Sequence, residues 1–65
     1  MISDIGETAG KVYIALEVKG EMTLASLKTT IKADAFLTDA AIGWLAREDK
    51  LTIVKSGKTI RLSLR

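Results

Sequence analysis

Sixty-five residues make one small domain, and a chain this short hides only about 60% of its unfolded surface on folding. With no cysteine and no histidine, disulfides and zinc sites of the Cys/His type are excluded, which leaves efficient packing or a partner subunit to stabilise the core. The composition, 48% hydrophobic and 28% charged, is globular, and the net charge of +2 is unevenly spread: residues 1–49 carry five bases and all eight acids, a net −3, whereas residues 50–65 carry Lys50, Lys55, Lys58, Arg61 and Arg65 with no acid, +5.

The opening Met-Ile-Ser-Asp lacks the basic start and apolar run of a secretory signal. Nothing approaches the ~20 apolar residues of a membrane span, so no membrane partner and a cytoplasmic location are expected. The first element is a helix from about Asp4 to Val18. Ser3 or Asp4 is its expected cap, because a short side-chain oxygen can accept a free amide hydrogen of the first turn. Ile5, Ala9, Val12, Tyr13 and Leu16 recur at helical spacing, which makes Tyr13 a core residue with its hydroxyl at the edge. Gly20 follows in the position where a left-handed C-terminal residue is expected.

Met22 and Thr23 then suggest a brief strand, with Thr23 capping a short helix from Leu24 to Thr30. A third helix runs from about Ala35 to Glu48, capped by Asp34, with Thr38 as an alternative start. Leu37, Ala41, Leu45 and Glu48 form one stripe on it, and Phe36, Ala40 and Trp44 a second. The chain closes with a hairpin: Leu51–Lys55 and Lys58–Leu62 are β-rich runs around Ser56-Gly57. A loop at those two residues pairs Lys55 with Lys58, Ile53 with Ile60 and Leu51 with Leu62, and places the four apolar residues on one face.

Helix, short strand, helix, helix, hairpin is the order of a winged helix-turn-helix, an α+β fold with three helices and a C-terminal β-hairpin wing, filling residues 1–65 as a single domain. The connection Ile31-Lys32-Ala33 has the short length of such a turn but lacks the glycine often found there. The segment Ala41-Ile-Gly-Trp-Leu-Ala-Arg-Glu-Asp-Lys-Leu51 resembles the end of a third helix running into a wing strand. More narrowly, Gly43-Trp44-Leu45-Ala46-Arg47-Glu48 resembles a family of stand-alone short winged-helix proteins of bacteria and archaea whose function is not established. That resemblance implies the fold and suggests a homodimer. It supplies no catalytic residue and no ligand.

Three classes of site follow from the residues. For nucleic acid, a winged helix places its third helix in the major groove and its wing beside the phosphates. The expected front of the third helix, Ala35, Thr38, Asp39, Ile42 and Gly43, carries no base or amide able to read base edges. Lys28 and Lys32 flank the turn, Lys55 and Lys58 mark the wing tip, and Arg61 shares the outer face of the wing with Arg65. Lys28, Lys32, Lys55, Lys58 and Arg61 are therefore the candidate phosphate contacts to duplex DNA, with little direct base reading. The competing account is a solvated hairpin whose charges keep its edge from pairing with other chains.

For protein association, Phe36, Ile42 and Trp44 are the candidate interface residues, with Ile2, Val54 and Leu64 as further apolar positions open to exposure. Gly43 inside a helix costs about 1 kcal/mol against alanine, which points to a close backbone approach there. The alternative for Trp44 is a plug in the core between the first helix and the wing. For catalysis, no histidine or cysteine can act near neutral pH, the glycines are dispersed, and Glu48-Asp49 reads as a solvated turn. No enzyme, cofactor, metal or small-molecule substrate is expected. The leading expectation is a nucleic-acid-associated protein, transcription-related and homodimeric. The alternative is a protein–protein interaction or homodimerisation module without DNA binding.

Overall fold

The computed structural model describes the backbone from Ile2 to Arg65 and the side chains from Ser3 onward, so the expected exposure of Ile2 lies outside the described side chains. In chain order the elements are α1 (Ile2–Lys19), β1 (Glu21–Thr23), α2 (Leu24–Ile31), α3 (Ala35–Arg47), β2 (Leu51–Ser56) and β3 (Thr59–Leu64). The strands form one antiparallel sheet in the order β1-β3-β2. Three helices, a strand before the second and a hairpin after the third make a winged helix-turn-helix.

The termini of the elements are set by local chemistry. α1 begins earlier than its periodicity suggests, so Ser3 and Asp4 lie inside it rather than capping it. Gly20 ends it at φ +86 and donates its N–H to Leu16 O at 2.8 Å. Thr23 belongs to β1 and also caps α2, its Oγ1 accepting from Ser26 N–H at 3.1 Å, so the chain passes from strand to helix without a loop. α2 closes on Lys32, which adopts φ 52, ψ 29 and donates its N–H to Lys28 O. Lys32 thus takes the left-handed conformation that the missing glycine would have supplied.

Asp34 caps α3, its Oδ1 accepting from Phe36 N–H at 2.8 Å and Leu37 N–H at 3.3 Å. Thr38, the alternative start, lies inside the helix, where its buried hydroxyl donates to Asp34 O. At the other end Lys50 N–H donates to Leu45 O and Asp49 N–H to Ala46 O, with Asp49 at φ 62. This pair of bonds is a Schellman closure.

The core draws on every element. Val12 and Leu16 of α1, Leu27 of α2, Ala41, Ile42 and Leu45 of α3, and Met22, Leu51 and Leu62 of the sheet are all buried, and α1 packs chiefly on α3. Each large aliphatic side chain fully removed from water contributes about 1.5–3 kcal/mol. Tyr13 is not among them: at 38% exposure it stands at the rim.

The hairpin forms in a different register from the one the sequence suggested. Its loop is Gly57-Lys58, and the pairs are Ser56 with Thr59, Lys55 with Ile60, Val54 with Arg61, Ile53 with Leu62 and Leu51 with Leu64. Gly57 at φ +61 followed by a residue without positive φ is the pattern of a type II′ turn, which matches strand twist better than a loop led by serine. The displacement equals two residues of pairing, so the apolar face survives intact and Leu64 joins it, half-buried. Leu51 and Leu62 are buried and Ile60 half-buried on that face, but Ile53, directly across from Leu62, is 45% exposed because it lies on β2, the edge strand of the sheet, whereas Leu62 lies on the central strand.

Candidate nucleic-acid interface

The helix-turn-helix comprises α2, the turn of residues 32–34 and α3. Burial of Thr38, Ala41, Ile42 and Leu45 fixes the rotation of α3, and this corrects two expectations. Thr38 and Ile42 do not belong to the exposed front, and Ile42, 8% exposed, is a core residue unavailable to any partner of the folded chain. The outward stripe is instead Phe36, Asp39, Gly43, Trp44 and Arg47, all exposed. Phe36 is 63% and Trp44 47% exposed, so Trp44 is not a core plug. A Cβ built at Gly43 meets nothing within 4 Å, so no backbone of this chain approaches it.

The five candidate phosphate contacts divide by their electrostatic surroundings. Lys28 Nζ lies 3.1 Å from Asp39 Oδ1, an ion pair that spans the turn and ties α2 to α3. Arg61 lies 3.5 Å from Glu21 Oε1 across the β1–β3 pairing, on the face of the sheet away from the helices. Lys32, Lys55 and Lys58 are exposed and have no carboxylate within ion-pairing distance among the described residues. Lys55 and Lys58 stand at the wing tip, Lys58 in the loop and Lys55 beside Ile60. Arg65 is held by Asp49, so the fully basic C-terminal segment contributes fewer free cations than its charge suggests.

Arg47 is the residue that sequence reasoning undervalued. It is the one cation on the outward stripe of α3, eleven residues after Phe36 on the same helical face. That spacing was visible in the sequence, but only the burial of Thr38 and Ile42 shows which stripe faces out. The stripe still carries no amide side chain and holds an acid, Asp39, near its middle. The stripe therefore offers little with which to read base edges. Among the described residues no three His, Cys, Asp or Glu side chains gather as metal ligands, and no helix is long and apolar enough to cross a membrane.

Comparison with known proteins places this geometry among relatives. The model of a family described as a winged helix-turn-helix domain (DUF2582) matches residues 1–64. An uncharacterised protein of Methanocaldococcus jannaschii, MJ1608, is 43% identical over 61 residues, which cover 89% of this chain and 86% of that relative. Among solved structures, the solution NMR structure of protein BT2368 from Bacteroides thetaiotaomicron matches with a TM-score of 0.83 at 31% identity, covering 95% of this chain and 76% of that one.

Proposed function

The chain belongs to the winged helix-turn-helix family DUF2582, and from that premise we propose that it is a homodimeric duplex-DNA-associated protein that grips the phosphate backbone with its wing and reads base edges little. A role connected with transcription, in the cytoplasm, accords with such binding. The observation that carries this function is the set of unpaired lysines, Lys55 and Lys58 at the wing tip and Lys32 at the turn. An ammonium without a carboxylate partner can exchange its hydration and its counterions for phosphate oxygens, and release of those counterions drives the association. Lys28 and Arg61 join the contact only by giving up Asp39 and Glu21, so they contribute less. No catalysis is assigned.

Three phosphates per chain set the expected salt dependence. Log K against log salt should have a slope of about −3 for each chain engaged, since each neutralised phosphate adds about −0.9. Lys55→Glu with Lys58→Glu should abolish binding of a duplex at 50 mM salt while leaving the far-ultraviolet circular dichroism unchanged. Binding that persists in this variant, or affinity indifferent to salt, would refute the role of the wing.

A second function is favoured by one specific observation. Phe36 and Trp44 lie exposed on the stripe of α3 that a DNA-reading helix would present to the groove. Exposed aromatic side chains flanking a glycine suit another polypeptide better than phosphate. DNA titrations that move the amides of α3 rather than those of the wing tip would favour base-proximal docking. Titrations that move neither would favour the protein-interaction module.

A further inference from the structure

The outward stripe of α3 sets two large rings among free cations. Phe36 and Trp44 are both exposed, although burying side chains of this size is favourable. They stand eight residues apart, which is about 12 Å along the helix and about 80° around it. Ala40 and Gly43 lie between them in sequence and keep the helix surface low there: a Cβ built at Gly43 meets nothing within 4 Å. Trp44 also borders an open cleft of about 400 Å³, which it shares with Tyr13 and Lys50. The exposed part of each ring is thus open to a flat partner.

Charge decides what that partner is. Lys32 closes the turn four residues before Phe36, Arg47 stands one helical turn beyond Trp44, and Lys50 shares the cleft with Trp44. All three are exposed, and none has a carboxylate within ion-pairing distance among the described residues. The acids of α3 and its two ends are mostly engaged. Asp39 is held by Lys28, Asp49 by Arg65, and Asp34 accepts from the amides of Phe36 and Leu37. Glu48 is the remaining acid. Three free cations against one free acid make this an aromatic surface for an anion, and each ring has a cation close to it in the chain. A polymer that repeats a flat group and a negative charge matches that arrangement.

We propose that α3 and its two flanking turns bind single-stranded polynucleotide, with unpaired bases stacked on Phe36 and Trp44 and phosphates held by Lys32, Arg47 and Lys50. A duplex offers its grooves only base edges, and the stripe has little with which to read them. An unpaired base offers its face, which a ring can cover whatever the sequence. The gap of about 12 Å between the rings exceeds the step of about 3.4 Å between stacked bases, so the two rings take bases separated along an unstacked strand. Stacking and phosphate contact use neither base edges nor the 2′-hydroxyl, so DNA and RNA strands share the required chemistry. The site goes beyond the wing's grip on a duplex and shares only Lys32 with it, so either can fail alone.

Trp44 is the only tryptophan of the chain, so its fluorescence reports on the site directly. Oligothymidylate and oligouridylate of about 12 nucleotides, titrated into the full chain at about 50 mM salt, are the probes. At least one should quench Trp44, and the tighter of the two identifies the sugar preferred. An abasic deoxyribose-phosphate strand of equal length carries the same charge without bases; it should bind at least about tenfold more weakly and leave the emission unquenched. Phe36→Ala should weaken oligonucleotide binding about 5- to 100-fold, the effect of losing one stacked base, with native circular dichroism and unchanged duplex affinity. Trp44→Phe, followed by anisotropy of a labelled strand, should retain most of the affinity that Trp44→Ala loses. Lys55→Glu with Lys58→Glu should still be quenched, and quenching lost there would overturn a site separate from the wing. Equal binding of the abasic strand, or an equal effect of Phe36→Ala on duplex and single strand, would overturn stacking on unpaired bases. A Trp44 emission that ignores both oligonucleotides and shifts with protein concentration alone would overturn the site and leave the face to another polypeptide.

Discussion

Replacing Lys32 with glycine should stabilise the fold and weaken DNA binding in the same molecule. Lys32 sits at φ 52, ψ 29, where a Cβ costs about 1–2 kcal/mol. Glycine removes that cost but adds freedom to the unfolded chain worth roughly 0.4–1 kcal/mol. The side chain is exposed and the N–H to Lys28 O bond survives, so no packing or hydrogen bond is lost. The net gain is about 0.5–1 kcal/mol, which in a domain this small raises the melting temperature by about 2–8 °C. Thermal and urea denaturation followed by circular dichroism measure it. The same variant removes one of the three lysines of the proposed phosphate contact, so the salt slope of duplex binding should fall from about −3 to about −2. Lys32→Ala separates the two effects, since it loses the charge and retains the left-handed Cβ: it should match glycine in DNA binding and show no gain in stability. A glycine variant less stable than wild type would refute the conformational argument, and an unchanged salt slope would remove Lys32 from the phosphate contact.

Two further outcomes follow from the same geometry. Asp39→Asn removes the acid from the outward stripe of α3 and releases Lys28, so duplex affinity at low salt should rise roughly three- to tenfold, with stability changed by less than about 1 kcal/mol; fluorescence anisotropy would read the first and denaturation the second. Leu62→Ala empties a site 1% exposed at the centre of the sheet and should cost about 2–5 kcal/mol, enough to unfold a large part of the population of so small a domain, which a lowered urea midpoint would show.

The architecture was legible in the sequence because its punctuation is strong. Gly20 and the short side chains of Thr23 and Asp34 mark helix boundaries by chemistry that acts locally, and the structure uses all three as expected. The hairpin register was less legible. Two placements of the loop keep the same residues on the apolar face, and periodicity cannot separate registers two residues apart; the preference of Gly57 for the first loop position decides. The rotation of α3 was misread for a related reason. Thr38 looks like an exposed polar residue, but a threonine whose hydroxyl returns to the carbonyl four residues earlier can be buried at little cost, and Ile42 turns inward with it. The pairing of Lys28 with Asp39 and of Arg61 with Glu21 joins residues on different elements, so no count of charges along the chain could have divided the candidate cations into bound and free.

The sheet order has a consequence for assembly of the fold. β1 and β2 never touch, and each is hydrogen-bonded only to β3. Glu21–Thr23 therefore gains no cross-strand partner until Arg61–Ser63 arrives from the far end of the sequence, and the wing cannot detach without stripping the strand that leads into α2. Domain and wing should open and close as one cooperative unit, so the amides of Met22 and Leu62 should exchange with solvent at the same rate, set by global unfolding rather than by fraying of a projecting arm.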